Sequence, residues 1–144
     1  VMLIVAAATC FGRMLTMIQV PQAIASVLLS TFTSKITLLL VINLFLLFVG
    51  MVMETLAAIL ILTPIFLPVV TAIGMNPIHF GVMLVVNLAI GFVTPPVGVN
   101  LYVGSNLTGV PVLSVAKHAV PYIAMFLCAL LLITFVPGIS LIFT

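Results

Sequence analysis

Residues 36–73 read ITLLLVINLFLLFVGMVMETLAAILILTPIFLPVVTAI. As one helix this segment would be about 57 Å long at 1.5 Å per residue. That is nearly twice the roughly 30 Å hydrocarbon core of a bilayer, so the chain must turn within it. The only polar, glycine-containing interruption is Gly50-Met51-Val52-Met53-Glu54-Thr55. A turn there leaves a first arm of about 21 Å, short for a crossing, and predicts a re-entrant hairpin over 36–73 with its tip deep in the protein. Two full spans joined by a tight turn are the alternative, because Leu56 to Ile73 is long enough to cross. Pro64 and Pro68 are expected to bend this second arm and free the carbonyls of Leu60 and Pro64.

Composition agrees with a membrane setting. Hydrophobic residues make up 66% of the 144 and charged residues 3%, whereas a soluble domain carries about a quarter charged residues. The lipid bilayer is the solvent that suits such a chain. At roughly 20 apolar residues per crossing its length holds four or five embedded elements and no soluble domain. Arg13, Lys35 and Lys117 against Glu54 give a net charge of +2 without a basic patch, which excludes nucleic acid as a partner. Cys10 and Cys128 lie in separate apolar runs and read as small buried hydrophobes. The chain opens at Val1 inside an apolar run with no charged leader segment, which reads as a piece of something longer.

Upstream of the hairpin, Val1 to about Leu15 reads as the end of a transmembrane helix stopped near Arg13. Thr16 to Ser34, interrupted by Gln19, Pro21 and Gln22, reads as an arm helix at the membrane interface. Residues 1–34 thus form one part of the chain. Downstream, Gly74-Met75-Asn76-Pro77 is a turn. Residues 78–108 read as one broken helix, because Ile78 to Val93 supplies about 24 Å before Thr94-Pro95-Pro96-Val97-Gly98 stops it. Hairpin and broken helix (35–109) form the central part, which holds both breaks. Residues 110–144 hold a connection to Lys117 and a final transmembrane helix from Ala119 to Phe143, bent near Pro137.

The two breaks carry the chemistry. Non-helical backbone at membrane depth is tolerated only where protein buries it or a cavity adjoins it, and in secondary transporters such breaks bind ions and substrates. Pro95 and Pro96 have no N–H, so the carbonyls of Gly91 and Phe92 lose their helical partners. Thr94 adds a hydroxyl and a carbonyl. Such oxygens suit a hard monovalent cation such as sodium, and Asn87, Gly91 and Thr94 fall on one helical face. The structural alternative is a proline kink repaired by its neighbours. Gly50 permits close backbone approach. Glu54, the only acidic residue, is either a ligand or an acceptor for N–H groups at the start of the second arm. Thr55, Pro95, Pro96, Gly98 and Asn100 are further candidates for lining the site. His79 and His118 read as interfacial or capping groups, and the sequon Asn106-Leu107-Thr108 lies against a membrane helix. No transition-metal set, cofactor motif or catalytic dyad is legible, so the chain reads as a non-enzyme.

Taken in order, the hairpin-tip segment, Pro64-Ile65-Phe66-Leu67-Pro68, Gly74-Met75-Asn76-Pro77-Ile78-His79-Phe80-Gly81 and Asn87 through Leu101 resemble the C-terminal half of the large membrane subunit of tripartite ATP-independent periplasmic (TRAP) transporters. The resemblance covers essentially the whole chain. It implies an all-α polytopic membrane protein, here one inverted repeat of an elevator-type ion transporter with a re-entrant hairpin and a broken helix. It further implies a small membrane subunit and a periplasmic substrate-binding protein as partners, sodium as coupling ion, and a bacterial or archaeal cytoplasmic membrane. Organic acids such as dicarboxylates or sialic acid would be the substrates. Carried over by motif, the sodium ligands are Gly50, Gly91, Thr94 and Val97, largely through main-chain oxygens. The three basic residues lean toward a cytoplasmic hairpin mouth, whereas the family pattern makes it periplasmic. A related carrier without a binding protein, and a non-transporting membrane scaffold, are the competing readings.

Overall fold

The computed structural model describes residues 2–32 and 34–142, and among these every regular element is a helix. α1 (Met2–Met17) and α2 (Val20–Thr31) meet at an angle of 65°. The bend falls at Gln19, whose φ of 60° is left-handed, with Pro21 opening α2. Proline suits a helix's first turn, where its missing N–H has no partner to lose. α1 therefore continues past Arg13 to Met17 before the chain turns.

α3 (Lys35–Val52) and α4 (Thr55–Ala72) form the hairpin, 18 residues each. The first arm is longer than the sequence suggests, because nothing in Gly50-Met51-Val52 breaks a helix in apolar surroundings. The turn is confined to Met53 and Glu54. α4 runs through Pro64 and Pro68 without interruption, and the Leu60 carbonyl lies so near α1 that a Cβ on Gly12 would sit 3.3 Å from it. α1 and α2 both pack along α4.

α5 (Pro77–Gly91) packs against both arms, most closely against α3. Their shared core includes Leu38, Ile42, Leu46, Val69, Met83 and Leu88, each at most 1% exposed. In lipid such cores hold by dispersion and close fit rather than by expulsion of water. α6 (Val99–Thr108) follows the break, and Gly109, at φ 70°, ends it. α7 (Val112–Phe135) begins directly after Pro111, so residues 112–117 are helical rather than a connection. Nothing between Val112 and Lys117 breaks a helix, and Pro111 fits the position before one. Pro137 does not bend α7. It opens a separate short helix, α8 (Pro137–Leu141), and Phe143 lies outside the described residues.

α3, α4 and α7 are each long and apolar enough to cross a membrane. α5 and α6 lie in series along α7: His79 reaches Thr134 near its C-terminal end, and Gly104 faces Val115 near its N-terminal end. The break between α5 and α6 therefore falls partway along a helix of spanning length.

Candidate functional site

The hairpin tip and the break meet at two glycines. A Cβ on Gly91 would sit 2.6 Å from the Gly50 Cα and 2.8 Å from the Met51 nitrogen; one on Gly50 would sit 2.9 Å from the Leu88 Cα. These neighbours are backbone, so nothing but glycine fits at the crossing. The approach brings the C-terminal ends of α3 and α5 together. Each end carries carbonyls without helical partners and the negative pole of its dipole, so a cation is favoured between them.

Beyond Gly91 the backbone re-pairs rather than standing open. The Gly91 carbonyl accepts from Thr94 N at 3.0 Å, and the Phe92 carbonyl from Asn100 N at 3.2 Å. Both carbonyls expected to be freed by Pro95 and Pro96 have thus found other donors. Each retains a second lone pair, so oxygen ligation stays open to both. Thr94 Oγ1 donates to the Ile90 carbonyl at 2.7 Å, which turns its own lone pairs outward from that bond. The Pro95–Pro96 bond is cis, and Gly98 at φ 46° begins α6. A Cβ on Gly98 would meet the Thr94 carbonyl at 3.0 Å, so residues 94–98 form a tight loop. Pro95, Pro96, Val97 and Asn100 are exposed on it and Thr94 is half-buried.

Glu54 takes the capping role. Its carboxylate oxygens accept from Leu56 N and Ala57 N, both at 3.0 Å, at the start of α4, with Thr55 as the first helical residue. Asn87 does not join the break. Fully buried, it donates to Asn43 Oδ1 at 2.5 Å and to the Met83 carbonyl at 3.0 Å. Asn43 donates to Thr134 Oγ1 at 3.0 Å, and Thr134 to the Leu130 carbonyl. This polar chain crosses α5, α3 and α7, and its Asn43 and Thr134 were not singled out from the sequence. Asn43 is the one amide in α3 and the one polar side chain between Leu38 and Val52, a signal that was available. His79 is likewise interior, at 2% exposure, rather than interfacial. His118, exposed, bonds the Ser114 carbonyl within its own helix. Cys10 and Cys128 are free and exposed, not buried. In a bilayer an apolar run does not distinguish core from lipid-facing surface.

Comparison with known proteins settles the kind of molecule this is. Residues 1–139 match the DctM component of the tripartite ATP-independent periplasmic transporters. The chain belongs to this family. It is 50% identical over 143 residues to the isethionate TRAP transporter permease protein DctMQ of Oleidesulfovibrio alaskensis, covering 99% of the chain and 22% of that protein. It is 44% identical to the C4-dicarboxylate TRAP transporter large permease protein DctM of Pseudomonas aeruginosa, covering 97% of the chain and 33% of the relative. The sialic acid TRAP transporter large permease protein SiaM of Vibrio cholerae is 39% identical over 98% of the chain and 33% of its own length. The chain therefore spans a fifth to a third of these relatives. Family and helices together make it part of a multi-pass membrane protein.

Proposed function

We infer that this chain forms one repeat of a sodium-driven, elevator-type importer of organic acids, and that it holds a sodium ion between the hairpin tip and the broken helix. The observation that carries this is the Gly50–Gly91 crossing. It joins two carbonyl-bearing helix ends beside the Thr94–Gly98 loop, an oxygen-rich and uncharged setting suited to a small monovalent cation. Gly50, Gly91, Thr94 and Val97 are the ligands by this reading. Glu54 is structural, and Asn87 supports α5 from behind.

The arrangement along α7 supports a re-entrant hairpin. The tip reaches the break, and the break lies partway along a spanning helix, so the tip stops inside the membrane although each arm is long enough to cross. A cation there offsets the converging dipoles of α3 and α5 and holds the tip against the break. Without it the two negative ends repel and the tip is free to part. Ion occupancy would thereby set whether the site is closed, the event an elevator needs before its transport part moves. The small membrane subunit and the periplasmic binding protein complete the system in the inner membrane, and the relatives' names support a small organic acid as the substrate.

The test is uptake by the full-length parent, reconstituted with its small subunit and binding protein in proteoliposomes. Accumulation of a four-carbon dicarboxylate, sialic acid or isethionate should follow an inward sodium gradient and cease when potassium replaces sodium. Uptake indifferent to sodium would reject the coupling. Uptake without the binding protein would reject the tripartite assignment.

A further inference from the structure

The transport reading leaves unused a groove between α3 and α7. The two helices are bridged by Asn43 and Thr134, while α3 packs chiefly on α5, and α7 on α5 and α6. Between them Leu40, Leu44 and Leu47 face Leu127, Leu130 and Leu131 across about 360 Å³. Toward Lys35 a second hollow of about 310 Å³ adjoins Ile36, Leu39, Thr134 and Phe135. Positions 36, 39, 40, 43, 44 and 47 step by three and four along α3, and 127, 130, 131, 134 and 135 do so along α7. The two hollows therefore follow one another along the same two helix faces, with the Asn43–Thr134 bond between them.

The groove is polar at one end only. Lys35, at the first residue of α3, and Asn76 and His79 at the start of α5 adjoin the outer hollow, where α3 and α5 present their positive poles and the end of α7 its negative one. His79 Nε2 lies 3.3 Å from the Thr134 carbonyl and so donates to it, whereas its buried Nδ1 has no partner. In that tautomer Nδ1 is an acceptor, so it takes a hydrogen bond from a hydroxyl and offers none to an anionic oxygen. The stretch from 36 to 47 rises about 17 Å, close to half of the roughly 30 Å hydrocarbon core. On its flank Ile36 is 58% and Leu44 70% exposed.

We propose that this groove is a binding site for an anionic phospholipid, its phosphate held by Lys35 and one acyl chain lying along Leu40, Leu44, Leu127 and Leu131. A cation at the mouth and a leaflet-length apolar trough below it follow the order of groups in a lipid. A free phosphate would leave the trough unused. The site is separate from the cation site, which lies at the other end of α3 and α5, and it stands or falls independently of sodium coupling.

The full-length parent, purified in detergent, is mixed with phosphatidylglycerol or phosphatidylcholine of matched chains, and retained lipid is counted by native mass spectrometry. Phosphatidylglycerol should be retained in preference, and excess inorganic phosphate should not displace it. Lys35→Gln should lower its retention about fivefold, the effect of one cation at an anionic surface, while Lys117→Gln at the far end of α7 should leave it unchanged. Leu44→Trp fills the trough without touching the head and should also lower retention. Equal retention of both lipids, or insensitivity to either Lys35→Gln or Leu44→Trp, overturns the proposal. So does a helix from the rest of the transporter seated in the groove in a structure of the complete protein.

Discussion

Replacing Gly91 by alanine tests the crossing of hairpin and broken helix. The added methyl would stand 2.6 Å from the Gly50 Cα and 2.8 Å from the Met51 nitrogen, backbone that cannot rotate away as a side chain would. The helices must part, and overpacking of this kind costs about 1–3 kcal/mol. Alanine in a helix gains about 0.5–1 kcal/mol over glycine, so the net loss is at most about 2.5 kcal/mol. Gly81, in the same helix, supplies the control, because nothing lies within 4 Å of a Cβ there. Gly81→Ala should therefore be neutral or stabilising. The assay is thermal unfolding of the full-length parent in detergent, with both variants side by side. A Gly91→Ala protein as stable as the Gly81→Ala protein would refute the close approach.

Three further outcomes follow from the same geometry. Asn43→Leu strips Asn87 of an acceptor and Thr134 of a donor in a buried site, and should cost about 1–3 kcal/mol. A double-mutant cycle with Asn87→Leu should return a coupling of about 0.6 kcal/mol, at most about 1.7, as for other bonds between membrane helices; a coupling of zero would dissolve the pair. Glu54→Ala should weaken the start of α4, lowering the unfolding temperature while leaving the sodium concentration for half-maximal uptake unchanged. A shift in that concentration would return Glu54 to the ion site. Gly98→Ala places a Cβ at a left-handed residue and 2.9 Å from Leu101 Cδ1; it should cost about 1–2 kcal/mol from the conformation alone, read as loss of folded protein on heating.

The membrane setting, the hairpin and the broken helix were legible because length in a bilayer is a hard constraint. A run too long for one crossing must turn, and Thr94-Pro95-Pro96-Val97-Gly98 cannot be a regular helix. Where the hairpin turned was less legible: Gly50 is a helical residue used for close packing, and the turn waits for Met53 and Glu54. The start of α7 was missed because Ser114, Lys117 and His118 look like a polar connection, although none of them stops a helix. The glycine pair illustrates the limit from the other side. Each glycine was visible in its own segment, but only the structure shows that the two meet. Asn43, Thr134 and His79 were visible only as lone polar residues, and that three helices bring them into line was out of reach.

The central claim is a sodium ion between the hairpin tip and the break, and its most direct test is sodium binding itself. Unfolding of the full-length parent would be followed as sodium replaces choline at constant ionic strength, since a ligand that binds the folded state alone raises stability with its concentration. Thr94→Val removes one ligand hydroxyl while keeping the side chain's shape. Sodium, and not potassium, should stabilise the parent, and Thr94→Val should need a higher sodium concentration for the same effect. Stabilisation indifferent to the cation, or a Thr94→Val protein with the parent's sodium dependence, would contradict the claim.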